Sequence, residues 1–199
     1  MNKNMNIDLL QTEIEASINV KRKLLVDEKL LDKVLEISRA CFKALLDGGK
    51  IIFCGNGGSF ADAQHLSAEF TSRFLFDRPA LASVALGTNN SGLTAMANDY
   101  GYENIFAREL EALGKPEDIF IGISTSGNSS SIIKSIDAAN KIGITTFILT
   151  GQSGGKLKDL VDCVHIPSND TARIQECHIL IGHIICGFVE KAIFKDYSN

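Results

Sequence analysis

The sequence predicts an α/β protein, a three-layer α/β/α sandwich around a five-stranded parallel sheet. Short runs rich in Ile, Val and Phe alternate along the chain with longer segments whose apolar residues recur at helical spacing. Strands joined by helices in this way run parallel, through right-handed crossovers. With 199 residues, 45% of them hydrophobic and 22% charged, the chain can form one domain, residues 1–199, with a full hydrophobic core.

The first elements are a pair of helices in the N-terminal segment 1–48. From residue 7 onward, apolar residues recur every three or four positions, and Gly48-Gly49 ends the second helix. The sheet core is predicted within residues 49–170. Its strands are expected at 50–54, 82–86, 119–124, 145–149 and 163–166, and its helices at 59–74, 90–97, 102–113 and 128–141.

The C-terminal segment, residues 171–199, begins with a long predicted helix at 171–194. This helix is apolar nearly all round, and one face of a sheet cannot bury so much apolar surface. Together with the N-terminal helices, it indicates a helix bundle between subunits.

Composition and charge exclude several classes of protein. The net charge of −4 argues against a nucleic-acid-binding surface, which is usually basic. The first eight residues are polar, unlike a secretory signal, and the longest apolar stretch, 179–189, is too short to span a bilayer. Five scattered cysteines without C-x-x-C spacing are typical of free thiols in a reducing compartment. We therefore expect a cytoplasmic protein without nucleic-acid or membrane partners.

A glycine-rich turn, Cys-Gly-Asn-Gly-Gly-Ser at 54–59, follows the first predicted strand. A strand that passes into a helix through such a turn leaves free backbone N–H groups at the positive helix end, which favours a bound anion. Phe60 stands where a dinucleotide fingerprint has its third glycine, and no Gly-Lys-Ser/Thr follows as in a P-loop. The alternative is a tight turn in which Ser59 only caps the helix.

A second turn, Ser-Thr-Ser-Gly-Asn-Ser at 124–129, follows the third predicted strand. Its hydroxyl and backbone N–H groups can bind phosphate oxygens without a lysine or arginine. A solvent-exposed loop with a helix cap is the alternative. Two such turns in one doubly wound sheet indicate a small phosphorylated substrate held across neighbouring strand ends.

Candidate metal ligands occur on two predicted helices. His65 and Glu69 lie four positions apart, hence on one helix face, which is a usual two-ligand unit for a divalent metal; an exposed contact between the two is the alternative. Arg73 lies one turn further along that face. On the last helix, His183 is either a ligand or a core histidine. Gln175 lies eight positions before it, about 12 Å of helical rise, so one straight helix does not easily bring both to one ion.

Taken together, these motifs resemble the SIS-type (sugar isomerase) phosphosugar-binding proteins, and within them the sedoheptulose 7-phosphate (phosphoheptose) isomerases. The resemblance covers essentially the whole chain and implies a flavodoxin-like sheet. Beyond the two turns and the residues His65, Glu69, Arg73 and His183, it rests on segments 97–99 with Gly101, 149–151, and 173–176 with His178.

The resemblance implies an aldose–ketose isomerase that converts sedoheptulose 7-phosphate into D-glycero-D-manno-heptose 7-phosphate through an enediolate, in bacterial heptose biosynthesis for lipopolysaccharide or capsule. Members of the family are cytoplasmic homotetramers. Glu69 and His183 would be the acid–base pair, and one zinc ion per subunit would be held by His65, Glu69, Gln175 and His183. The substrate-binding residues would be Asn56, Gly57, Gly58, Ser59, Glu69, Arg73, Asn98, Asp99, Ser124, Thr125, Ser126, Ser129 and Gln175.

A non-enzymatic branch of the same family gives an alternative function. Some SIS proteins of similar length bind the bacterial replication initiator, and others sense a sugar phosphate without catalysis. The segment 171–175 resembles that branch as much as the enzymes, some of which carry an acidic residue where this chain has Ala172. The presence of both Glu69 and His183 favours the enzyme.

Overall fold

A single five-stranded parallel sheet forms the centre of the fold, as predicted. The computed structural model describes residues 6–194, so residues 1–5 and 195–199 of the two terminal segments lie outside the described residues. The strands pair in the order β2-β1-β3-β4-β5, and every neighbouring pair is parallel. This flavodoxin-like order reverses its direction of winding between β1 and β3. The strands are β1 (Ile51–Gly55), β2 (Ser83–Ala85), β3 (Ile119–Ser124), β4 (Thr145–Gly151) and β5 (Cys163–Ile166).

Seven α-helices accompany the sheet within the described residues. Several of their ends differ from the predicted ones by one to three residues. The helix predicted at 90–97 extends to Tyr100, and the one predicted from 102 begins at Ile105, after a 3₁₀ turn at Tyr102–Asn104. Two other differences have reasons that lie in the backbone. The helix predicted at 59–74 ends at Thr71, because backbone N–H groups beyond it bond a distant carboxylate. The helix predicted to start at 128 starts at Ser130, because Ser129 is extended. The helices are α1 (Ile7–Leu25), α2 (Glu28–Leu46), α3 (Gly58–Thr71), α4 (Asn90–Tyr100), α5 (Ile105–Leu113), α6 (Ser130–Ile142) and α7 (Thr171–Ile193).

Alternating strand residues supply the two hydrophobic layers of the sandwich. Ile51 and Phe53 of β1 face a core shared with α2, α3 and α7, to which α1 adds Val20 and Leu24. Ile52 and Cys54 face the opposite core, built with α5 and α6. Because successive side chains of a strand point to opposite faces, one buried strand contributes to both cores.

Apolar side chains on two helices remain exposed in the single chain. On α1, Ile7 and Leu10 are 72% and 66% exposed, and on α7, Ile184 and Phe188 are 37% and 48% exposed. The predicted excess of apolar surface on the last helix is therefore present, and its burial between subunits stays a prediction. Within residues 6–194, no helix is both long and apolar enough to cross a membrane.

Candidate active site

The two polar turns lie side by side at the carboxyl ends of β1 and β3, where the winding of the sheet reverses. Gly55 fits the first turn because a methyl group there would overlap the backbone carbonyl of Ser59, and Gly57, the residue before α3, has a positive φ of +57°. In the second turn Gly127 has φ +65° and packs against the Gly154 carbonyl. Open α/β sheets bind ligands at such a switch point.

A cavity of about 150 Å³ separates the two turns. It is lined by hydroxyl and amide side chains rather than by ionised ones, and six of its seven lining residues belong to the predicted substrate set. The lining consists of Asn56, Ser59, Ile123, Ser124, Thr125, Ser126 and Ser129. The structure thus brings the residues of both turns around one space.

The Asn56 side chain is fully engaged with protein groups at this cavity. Its Nδ2 donates to Ser129 Oγ (2.8 Å) and Ser131 Oγ (3.0 Å), and its Oδ1 accepts from Tyr102 Oη (2.7 Å). Ser129 Oγ also lies 3.1 Å from Ser131 Oγ, and when Ser131 donates in that contact, Ser129 keeps its own proton for a ligand. Asn56 therefore orients the Ser129 hydroxyl of the cavity.

A second cluster joins α3 to α7 through His65, Glu69 and His183. His65 Nε2 lies 2.9 Å from Glu69 Oε1 and 3.2 Å from His183 Nε2. One donor atom from each of the three side chains lies within 4.8 Å of the others. The ring of Phe74 stacks on the His183 imidazole, with centroids 5.4 Å apart. The carboxylate of Glu69 on α3 and the imidazole of His183 on α7, the expected acid–base pair, therefore lie close together within one chain.

Close packing of α3 on α7 makes this meeting possible. A methyl group at Gly182 would lie 3.0 Å from Leu66 Cγ and closer still to both Leu66 methyl groups. The next residue on α7, His183, consequently reaches His65 across the contact. Both helices run in the same direction, since Gln175 at the start of α7 lies on Gly58 at the start of α3.

Burial and neighbouring charges set the protonation of two groups at this interface. Burial lowers the pKa of His183, and the nearby His65 lowers it further, while Glu69 opposes the shift. The His183 imidazole is consequently neutral at neutral pH and able to accept a proton or a metal. Burial raises the pKa of Asp62, which a hydrogen bond from Gln175 opposes.

Four predicted site residues lie elsewhere in the chain. Gln175 contacts Gly58 and Asp62, eight positions from His183 on α7, about 12 Å of rise. Arg73 is exposed on the segment after α3, and Asn98 and Asp99 are exposed on α4, where Asn98 Nδ2 donates to Asp99 Oδ1 (2.9 Å). None of these four lines the 150 Å³ cavity, and their ligand and substrate roles remain predictions.

Comparisons with known proteins agree on one family. Residues 17–151 match the model described as SIS domain. A phosphoheptose isomerase of Aneurinibacillus thermoaerophilus is 53% identical over 190 residues, which are 95% of this chain and 96% of that protein. This chain belongs to the phosphoheptose isomerase family of SIS domain proteins. The resemblance inferred from the motifs is thereby confirmed.

Solved structures of phosphoheptose isomerases share the fold over nearly the full length. One from Francisella tularensis superposes with a TM-score of 0.89 at 33% identity and covers 94% of this chain and 100% of its own. One from Neisseria gonorrhoeae gives 0.86 at 38% identity, with 92% and 98% covered.

Several residues that shape the candidate site were not identified from the sequence. Asp62 stands three positions before His65, so helical spacing alone places it on the His65–Glu69 face. Ser131 continues the serine run that starts at Ser129. Tyr102 and Phe74 carry no local signal, because what matters is a contact with a residue distant in sequence.

Proposed function

We propose that this chain isomerises sedoheptulose 7-phosphate to D-glycero-D-manno-heptose 7-phosphate. The observation that carries the proposal is the proximity of Glu69 and His183, which supply a carboxylate and a neutral imidazole from two helices of one chain. The interconversion of a ketose and an aldose needs such a pair, because one proton leaves carbon and another moves between oxygens. The 53% identity to a phosphoheptose isomerase supports the same reaction.

Glu69 is assigned as the base and His183 as the acid. The Glu69 carboxylate removes a proton from C1, next to the C2 carbonyl, which gives an enediolate. His183 protonates and deprotonates the two neighbouring oxygens, and return of a proton to C2 leaves an aldehyde at C1. Positioned acid–base groups contribute about 10²–10⁴-fold each to such reactions.

The hydroxyl-lined cavity is assigned to the substrate phosphate. Ser124, Thr125, Ser126 and Ser129 would donate to its oxygens. Asn56 takes part indirectly, since its own hydrogen-bonding groups are occupied by Ser129, Ser131 and Tyr102. Phosphate binding at the far end of the sugar would then orient C1 and C2 toward the acid–base pair.

The donor set of the second cluster fits one zinc ion per subunit. His65, Glu69 and His183 offer two nitrogens and an oxygen at separations compatible with a common ion. Gln175, the expected fourth ligand, lies against Gly58 and Asp62 about 12 Å away along α7, so it would have to come from a second subunit. When bound, zinc would supply Lewis-acid polarisation of the substrate carbonyl and hydroxyl oxygens.

We place this activity in bacterial heptose synthesis in the cytoplasm, for lipopolysaccharide or capsule, and expect a homotetramer. The uncovered apolar residues of α1 and α7, Ile7, Leu10, Ile184 and Phe188 among them, support burial between subunits. Light scattering of the purified protein tests the assembly, since a monomeric mass would contradict it.

The decisive experiment follows sedoheptulose 7-phosphate by NMR in the presence of the protein, with and without a chelator. Appearance of the aldose signal is the expected result, and its loss with the chelator followed by recovery with added Zn²⁺ would support the metal assignment. Binding of the sugar phosphate without conversion would contradict the proposed activity and favour a sensor. Conversion that continues unchanged in the presence of the chelator would support the isomerase activity and contradict the zinc assignment.

A further inference from the structure

A buried ion pair, which the proposed mechanism does not use, lies beneath the second cluster. Arg78 belongs to the segment between α3 and β2, and Glu190 to the last turn of α7. Their side chains are each 1% exposed, and Arg78 Nε lies 2.9 Å from Glu190 Oε1. Removal of two charges from water costs about as much as their attraction returns, so stability alone does not explain such a pair. The other groups that these two side chains bind therefore indicate what the pair does.

Glu190 fixes the segment that follows α3. Its Oε1 accepts from the backbone N–H of Phe74 (2.9 Å), and its Oε2 accepts from that of Leu75 (2.7 Å). These bonds attach the segment directly to α7 and end α3 at Thr71. They also place the Phe74 ring, which stacks on His183 two turns before Glu190 on the same helix.

Arg78 fixes the end of α3 itself. Its Nη2 donates to the backbone carbonyl of Glu69 (2.6 Å), and its Nη1 donates to those of Phe70 (2.7 Å) and Ser72 (3.0 Å). The last carbonyls of a helix lack partners within the helix, and a cation there is favoured by the helix dipole. The guanidinium thus holds the backbone of the residue whose carboxylate is assigned as the base.

We propose that Arg78 and Glu190 are positioning residues, which set the distance between Glu69 on α3 and His183 on α7. Arg78 holds the Glu69 backbone, Glu190 holds Phe74 against the His183 ring, and the ion pair joins the two halves. The effect on turnover rests on the isomerase activity proposed above. The effect on the geometry does not.

The test compares Glu190→Gln with a matched control, Asp118→Asn. Asp118 is likewise buried, pairs with Lys50 Nζ (2.6 Å) and accepts from the backbone N–H groups of Lys50 (2.9 Å) and Lys115 (2.8 Å), but it precedes β3 at the opposite end of the sheet from the site. Both variants should unfold at lower temperature. At a temperature well below the unfolding midpoints of both variants, Glu190→Gln should lower kcat at least about tenfold and change KM by no more than about twofold. The reason is that a small misplacement of reacting groups slows the chemical step strongly. Asp118→Asn should leave both constants unchanged.

A second readout does not depend on activity. In protein with labelled Phe and His side chains, the nuclear Overhauser effect between the Phe74 ring and the His183 imidazole should persist in Asp118→Asn and vanish in Glu190→Gln. If wild type turns over no sugar phosphate, the proposed function fails while this measurement still decides the positioning claim.

Two outcomes would overturn the proposal: equal kcat in the two variants, or an unchanged Phe74–His183 contact in Glu190→Gln. Should Glu190→Gln not fold, the double variant Arg78→Met/Glu190→Met carries the same two readouts. It leaves no unpaired buried charge, and apolar replacement of a buried pair is often tolerated.

Discussion

The contact between Gly182 and Leu66 is the packing feature on which the second cluster depends, and Gly182→Ala tests it. Leu66 is fully buried, so its side chain has no open space into which it can move. The new methyl group would lie 3.0 Å from Leu66 Cγ and closer to both methyl groups, and α3 and α7 must therefore move apart. That movement separates His183, the next residue, from His65.

Two opposing contributions set the change in the free energy of unfolding of Gly182→Ala. Overpacking of a well-packed interior costs about 1–3 kcal/mol. Alanine is favoured over glycine in a helix interior by about 0.5–1 kcal/mol. We therefore expect Gly182→Ala to lower the free energy of unfolding by about 1–2 kcal/mol. For a chain of this length each kcal/mol lowers the unfolding midpoint by about 2–4 °C.

Thermal unfolding and NMR turnover assays measure both consequences. Gly92→Ala on α4 is the matched control, because a methyl group there meets Asn89 at an ordinary distance of 3.4 Å and should stabilise the protein slightly. Leu66→Ala makes room for the new methyl group. The double variant Leu66→Ala/Gly182→Ala should therefore lose less free energy of unfolding than the two single variants lose together. A Gly182→Ala protein as stable as Gly92→Ala, with normal kcat, would refute the reasoning.

Three further predictions concern the two clusters and the core. Glu69→Gln or His183→Gln should lower kcat at least about a hundredfold without loss of the folded circular dichroism spectrum; near-normal turnover in either would remove the acid–base assignment. Ser124→Ala and Ser126→Ala should raise KM and lower kcat/KM for the sugar phosphate, and unchanged kinetics in both would remove the phosphate site. Burial lowers the pKa of His178 to about 4. The unfolded chain then binds more protons than the folded one as the pH falls from 6.5 toward 4. Stability should therefore drop by about 2 kcal/mol between pH 7 and 5, measured by urea unfolding; a His178→Leu protein with the same pH dependence would contradict this.

The sheet was predictable because its strands carry their signal locally. The ends of β3 and β5 agree with the predicted ranges, since each is an apolar run bounded by polar residues or turns. Helix ends were less predictable where a distant partner decides them. The end of α3 at Thr71 depends on Glu190, more than 100 positions away, and no local pattern reveals that bond. Oligomer contacts, which the apolar faces of α1 and α7 indicate, depend on a second chain.

The site residues likewise differ in whether a local pattern or a distant contact identifies them. His65 and Glu69 could be predicted from their helical spacing, and the hydroxyls of the second turn from their chemistry. His183 required the resemblance, because an imidazole within an apolar stretch is equally consistent with a core position. Arg78 and Phe74 act through contacts between elements, so only the packed structure identifies them.

The separation of the two clusters along α3 sets how the proposed site would hold both ends of a sugar phosphate. Ser59 lines the 150 Å³ cavity at the start of the helix, His65 lies six positions later and Glu69 ten positions later. These spacings correspond to about 9 and 15 Å of helical rise. If the phosphate binds in the cavity, an extended seven-carbon chain brings its reacting carbons nearer to the Glu69 carboxylate than a shorter sugar does. Under the proposed assignment, sugar phosphates with fewer carbons would leave the reacting carbons farther from Glu69, so they should lose kcat as well as affinity.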